Sequence, residues 1–307
     1  MRVFVTGATG FIGSAVVAEL TRAGHRVLGM ARSDAAAALL DRAGIEVYAG
    51  TLDDPDSLVR GAEKAEGVVH LAYNHDFSRI PEAAATDRRA IEAIGTALSG
   101  SGRPFVVAGG MLFSTPGRSG TEEDPADPNG QHPRIPNEGL ALAWAPRGVR
   151  VSVVRLAPTV HGDGDHGFVP VLIDMARKKG SSAYVGSGSN RWAAVHRLDA
   201  AVLFRLALEK APAGSRLHGA GEEGVPIREI AGVIGRRLGL PVVSLDPEGA
   251  AAHFGWMAHF IAADMPASSA LTRERFGWSP AHAPLVADLE NGTYFERGGA
   301  GRASSSA

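Results

Sequence analysis

The chain opens on a short apolar run, Val3-Phe4-Val5, followed by a glycine-punctuated turn. Apolar residues then recur at helical spacing, at Ile12, Val16, Val17 and Leu20, until Gly24 ends the pattern. The same alternation continues along the first half. Strands are predicted at Arg26–Met30, Glu46–Ala49, Gly67–Leu71, Phe105–Ala108 and Val151–Arg155. Helices are predicted at Ala35–Ala43, Asp56–Gly61, Ala83–Leu98 and Asn137–Ala145. Short strands that are apolar on both faces, joined by amphipathic helices, predict a doubly wound parallel sheet of the α/β Rossmann type.

The pattern breaks between Gly109 and Pro136 into Gly, Pro, Asp and Ser, which reads as one long loop of the kind that carries function. Beyond Pro158 the periodicity changes. Helices are predicted at Val169–Lys179, Leu198–Glu209 and Ile227–Leu238, with strands near Tyr184, at Arg216–His218 and at Pro241–Ser244. The expected organisation is a dinucleotide-binding domain over residues 1–158 and a smaller, mixed α/β substrate-binding subdomain over 159–297. Elements of the latter could return to the main sheet. Residues 298–307, rich in Gly, Ser and Ala, read as a flexible tail.

Composition narrows the chemistry. Of 307 residues, 45% are hydrophobic and 21% charged, and the net charge of −2 offers nothing that would draw nucleic acid or an anionic membrane. With no cysteine there is no disulfide, thiolate nucleophile or Cys-bound metal. The only lysines among the 31 basic residues are Lys64, Lys178, Lys179 and Lys210, so lysine-dependent catalysis has few candidates. The start of the chain runs straight into the first strand, and no stretch reaches the roughly 20 apolar residues of a membrane span. The expectation is a cytoplasmic protein acting on a small molecule.

The strongest motif is Thr6-Gly7-Ala8-Thr9-Gly10-Phe11-Ile12-Gly13, lying between a strand and a helix. Glycines at i, i+3 and i+6 permit a tight turn, close approach of a pyrophosphate, and close helix–strand packing. The free amides of the helix start then face the phosphates. With His70-Leu71-Ala72, Arg155-Leu156-Ala157-Pro158-Thr159-Val160-His161-Gly162, Val195-His196-Arg197-Leu198-Asp199-Ala200-Ala201 and Phe276-Gly277-Trp278-Ser279-Pro280, the chain resembles the extended short-chain dehydrogenases/reductases, the NAD(P)-dependent epimerase/dehydratase-like proteins. The resemblance implies cofactor contacts at Gly7, Thr9, Gly10, Phe11, Ile12, Gly13, Leu71, Ala72, Tyr73 and Pro158. It places Thr51 and Leu52 beside the adenine, where the family often has Asp-Leu. It also implies a homodimer through the helices near Ala83–Leu98 and Asn137–Ala145. At the end of the second strand, Ala31 stands where NAD-preferring relatives carry an acid. Arg32 and Ser33 suit a 2′-phosphate, so NADP(H) is expected, with NAD(H) held by Asp34 as the alternative.

The resemblance also implies a Tyr-x-x-x-Lys pair and a hydroxyl after the fifth strand, and the sequence departs from it at all three. No tyrosine has a lysine four residues on, and the fifth strand ends Ala108-Gly109-Gly110. This matches the atypical subgroups. Replacement groups lie past strand ends, where doubly wound sheets bind ligands. Tyr73 and His75 are the candidate proton donors, with Asp76 to orient the imidazole. Asn74, Met111, His161, His166, Trp192 and His196 are candidate substrate contacts, with Phe113 closing over the same cavity and Arg191 binding an anionic group. The cluster Phe254, Trp256, Met257, His259 and Phe260 is either core or the wall of an apolar pocket. The segment from His161 to His166 lacks the fixed spacing of a metal site, and none is expected.

Three readings follow. The first is an NADPH-dependent oxidoreductase reducing a small or medium carbonyl with a nonstandard proton donor. The second is an isomerase, lyase or cyclase on the same fold, using His75, His161 and His196. The third is a nucleotide-sensing protein without turnover.

Overall fold

A computed structural model of the chain describes residues 1–76, 79–111, 115, 117–127, 130 and 132–296. Strands β1 (Arg2–Thr6), β2 (Arg26–Ala31) and β3 (Glu46–Ala49) are linked by helices α1 (Phe11–Arg22) and α2 (Asp34–Arg42). Helix α3 (Pro55–Glu63) leads to β4 (Gly67–His70), α4 (Ile80–Leu98) to β5 (Pro104–Gly110), and α5 (Ile135–Leu142) to β6 (Arg150–Leu156). Next come β7 (Thr159–His161), α6 (Phe168–Lys179), β8 (Ser182–Val185), β9 (Arg191–His196), α7 (Arg197–Lys210) and β10 (Ser215–Gly219).

The main sheet is seven-stranded, in the order β3-β2-β1-β4-β5-β6-β10, with every neighbouring pair parallel. This is the doubly wound fold. Strand β10, from the second half of the chain, pairs with β6 and completes the sheet edge. Strand order reverses between β1 and β4, where Thr6 lies in register with His70. Ligand crevices of such sheets open at the carboxyl ends of the strands on either side of that reversal.

Both sheet faces are covered. On one side Val3, Val5, Val16, Leu20, Leu203 and Phe204 share a core. On the other, Phe4, Val68, Ile91, Ile94, Phe105 and Trp144 share a second. A third core lies among α6, β9 and α8 (Ile227–Leu238), where Trp192 is completely buried. Two small sheets, β11 (Glu222–Pro226) with β9 and β7, and β12 (Val242–Leu245) with β8, complete the C-terminal part. Strand β9 was not distinguished in the sequence because Trp192-Ala193-Ala194-Val195 is buried on both faces and shows no alternation. Helix α5 begins at Ile135, two residues before the expected start, with Pro136 in its first turn, where the missing N–H has no helical partner to lose. Phe113 and the tail 298–307 lie outside the described residues. Among the described residues no helix is long and apolar enough to cross a membrane.

Candidate functional site

The β1–α1 turn is built around its glycines. Gly7 adopts φ +69°, and a Cβ there would lie 2.8 Å from the Ala72 nitrogen. A Cβ on Gly13 would lie 1.9 Å from the Gly7 oxygen, so α1 crosses the turn at a distance only glycine allows. The Gly10 amide donates to the Gly7 carbonyl at 3.0 Å. Gly10 caps α1 without a side chain, and the first turn holds no acid, leaving the helix start an amide-rich, electropositive cradle. Thr9 lies in the same turn, and Phe11 and Ile12 open α1.

At the end of β2, Arg32 is exposed and has no side-chain partner among the described residues. Ser33 caps α2, accepting from the Ala36 amide at 3.3 Å, which leaves its own O–H free to donate. Leu52 packs partly buried against the second core, and Thr51 accepts from the Asp53 amide.

Beyond β4 the structure draws together residues far apart in sequence. Thr6 Oγ1 lies 2.8 Å from His70 Nδ1 and accepts from the Leu71 and Ala72 amides at 3.2 Å each. The other ring nitrogen of His70 faces Asp87 at 3.3 Å. Asp87, buried on α4, also accepts from Asn137 Nδ2 at 2.7 Å and from Arg134 Nε at 3.2 Å. Arg134 Nη2 donates to the Ala108 carbonyl at the end of β5, at 2.7 Å. The guanidinium carbon stands 4.0 Å from the centroid of the Tyr73 ring, and the Tyr73 ring meets that of His75 edge-on at 5.2 Å. Tyr73 and His75, both expected catalytic groups, therefore lie together with Arg134.

Electrostatics distinguish them. Burial would raise the Asp87 carboxyl, but the Arg134 charge and the His70 hydrogen bond outweigh it and hold its pKa down to about 2. Burial raises the Tyr73 phenol above its ordinary value. Burial lowers His75, and the nearby charges of Arg134 and His166 lower it further. At neutral pH the crevice thus holds a protonated phenol and a largely neutral imidazole.

The remaining expected contacts divide. His166 is exposed and sets its ring edge-on to Phe11 at 5.7 Å, over the start of α1. Arg197 lies against the same Phe11 ring at 5.1 Å. His161 is buried, with Nδ1 2.7 Å from Asp288, and His196 stacks on His282 while accepting from the Leu198 amide. These two histidines tie β7 and β9 to the helix Leu285–Asn291, through Asp288, and to His282 just before it. Pro158 is half-buried beyond β6, and Asn74 accepts from the Asp76 amide in a turn.

Two expectations are corrected. Met111 is buried in the first core, with its amide bonded to Leu156. Trp192 has no exposed surface, and its indole N–H donates to the Phe260 carbonyl at 3.2 Å, so neither ring face is open to a substrate. Arg191 is paired with Asp264. In the aromatic cluster, Phe254 and Met257 are core while Trp256 is about half exposed. Among the described residues no group of three or more His, Cys, Asp or Glu is arranged to hold a metal ion.

Sequence reasoning missed Asp87, Arg134 and Asn137. A trace of Asp87 was present. It interrupts the apolar stripe Ala83, Ala84, Ala90, Ile91 and Ile94 of α4, where a lone acid must find a buried partner. Arg134 carried no such mark, because it belongs to the irregular segment before α5.

The family model described as the NAD dependent epimerase/dehydratase family matches residues 3–218, and the chain belongs to that family. An uncharacterized protein of Schizosaccharomyces pombe is 51% identical over 298 residues, which cover 96% of this chain and all of the relative. A 2-alkyl-3-oxoalkanoate reductase of Stenotrophomonas maltophilia is 26% identical over 79% of this chain and 77% of its own. Among solved structures, a double mutant of the dTDP-glucose 4,6-dehydratase DesIV from Streptomyces venezuelae, with NAD bound, superposes with a TM-score of 0.78. It shares 20% identity, over 97% of this chain and 98% of that one, a likeness of fold.

Proposed function

We propose that the protein is an NADPH-dependent oxidoreductase that reduces the carbonyl of a small organic substrate. The observation that carries the reading is a juxtaposition at the strand ends. The Gly7–Gly13 turn abuts Ala72, and the next residue, Tyr73, meets both His75 and Arg134, while Arg32 at the end of β2 has no side-chain partner among the described residues. The residues fit the cofactor: glycine at 7 and 13 lets the turn, Ala72 and the start of α1 pack as closely as a pyrophosphate-binding turn requires, and Arg32 offers a fork for a 2′-phosphate. The reductase among the relatives supports the direction of the chemistry. The bound cofactor supplies the hydride that adds to the carbonyl carbon.

The chain's own task is then the proton and the oxygen. The Tyr73 phenol, kept protonated by burial, is the donor to the forming alkoxide, and its phenolate regains a proton from water. His75, lowered by burial and neighbouring charge, is in the wrong form to donate at pH 7. As an imidazolium it would contribute only as the pH falls.

The test is NADPH oxidation over a panel of aldehydes, diketones and 3-oxo acids. We expect turnover with at least one class and incorporation of deuterium from 4-deuterated NADPH at the carbinol carbon. Tyr73→Phe should lower kcat about 100-fold, near the lower end of general-acid effects because water reaches the crevice. His75→Ala should lower it far less at pH 7. A cofactor that binds but is oxidised by no carbonyl would favour the isomerase or sensor reading.

A further inference from the structure

We propose that Arg134 is the oxyanion donor of this site, binding through Nη1 the oxygen of the carbonyl that is reduced. The inference rests on the oxidoreductase reading and goes beyond it by assigning a group outside the family's usual set. Arg134 immediately precedes α5 as its N-terminal capping position, and its side chain is held on three sides. Nε donates to Asp87 at 3.2 Å, Nη2 donates to the Ala108 carbonyl at 2.7 Å, and the guanidinium carbon lies 4.0 Å from the centroid of the Tyr73 ring. Nη1 has no hydrogen-bond partner among the described residues.

The engaged atoms decide what this free arm can bind. A carboxylate is best gripped by two parallel N–H groups from neighbouring nitrogens. Here Nε and Nη2 are already committed, so one nitrogen remains, suited to a single oxygen that gains charge. A donor fixed in advance and aimed at developing charge stabilises an alkoxide without reorganisation. The strand-end glycines Gly109 and Gly110 leave no hydroxyl for this task, and Arg134 bonds the carbonyl of Ala108 immediately before them. Asp87, held by His70 and Asn137, acts as a positioning residue.

The probe is acetylacetone, whose enolate carries charge on a carbonyl oxygen and absorbs differently from the neutral diketone. It is titrated into the protein saturated with NADP⁺, at fixed pH. The wild type should bind the enolate about tenfold or more tighter than Arg134→Ala, with Arg134→Lys between them, while affinity for NADP⁺ stays unchanged. Added guanidinium at millimolar levels should restore part of the binding to Arg134→Ala and none to Arg134→Lys, a rescue that a merely structural arginine would not show. Equal enolate binding by wild type and Arg134→Ala, or none by either with NADP⁺ bound, overturns the assignment. In either case carbonyl reduction by the wild type would leave the proposed function standing, and failure to bind any nicotinamide nucleotide would remove both.

Discussion

Glu138→Ala should lower the unfolding free energy by about 3–5 kcal/mol, the cost of stripping one partner from a buried ion pair. Glu138, on α5, receives two hydrogen bonds from the completely buried Arg155, Nε to Oε2 at 2.7 Å and Nη2 to Oε1 at 2.6 Å, and a third from Arg216 at 2.8 Å. Without the carboxylate, Arg155 keeps the Asp124 carbonyl and the ring of His218 among its close partners, but it loses the negative charge that offsets its own. The loss should appear as a fall in Tm of roughly 5–10 °C. Burial alone would raise the Glu138 pKa, but the hydrogen bonds and charges of Arg155 and then Arg216 outweigh it and leave it below the ordinary value. A depressed folded pKa means the contribution is complete above the unfolded value of about 4.3 and fades as the pH falls through the folded one. Denaturant titrations at pH 7 and in acid check this. The gap between wild type and variant should be full at pH 7 and shrink on acidification, and a gap independent of pH would show that the charge is not its source.

Gly13→Ala should weaken NADPH binding by about 100-fold or more, close to 2.7 kcal/mol. The added methyl would stand 1.9 Å from a backbone oxygen, which cannot swing aside as a side chain can. Helix α1 must therefore retreat from the turn, and its amides lose their aim at the phosphates. Gly10→Ala is the matched comparison: its nearest contact is 3.3 Å, so it should disturb the free protein far less. Fluorescence titration of NADPH into both variants checks the contrast, with circular dichroism confirming that each is folded. Unaltered NADPH affinity in Gly13→Ala would contradict the placement of the cofactor.

The parallel sheet was legible because its strands are short, apolar on both faces and evenly spaced by amphipathic helices, and the glycine turn was legible because three glycines at fixed spacing have a steric cause. The catalytic end was only half legible. Tyr73 and His75 follow directly from β4, so chain order alone puts them at the crevice. Their partners Asp87 and Arg134 arrive from a helix and an irregular segment, and only tertiary packing brings these to one point. Trp192 shows the converse. Its motif position suggested a substrate contact, but a large aromatic amid alanines is equally what a tightly packed core requires, and packing prevailed.

Thermal unfolding of the wild type and Arg32→Ala with NADPH, NADH or no nucleotide tests most directly the claim that this crevice holds a phosphorylated dinucleotide. A ligand at 100 times its Kd stabilises the folded state by about 2.7 kcal/mol. The wild type should show such a shift with NADPH and a much smaller one with NADH at the same concentration. Arg32→Ala should lose the difference between them, because the guanidinium that would meet the 2′-phosphate is gone. Equal shifts in the wild type would contradict the role of Arg32. The absence of any shift with either nucleotide would contradict the whole account.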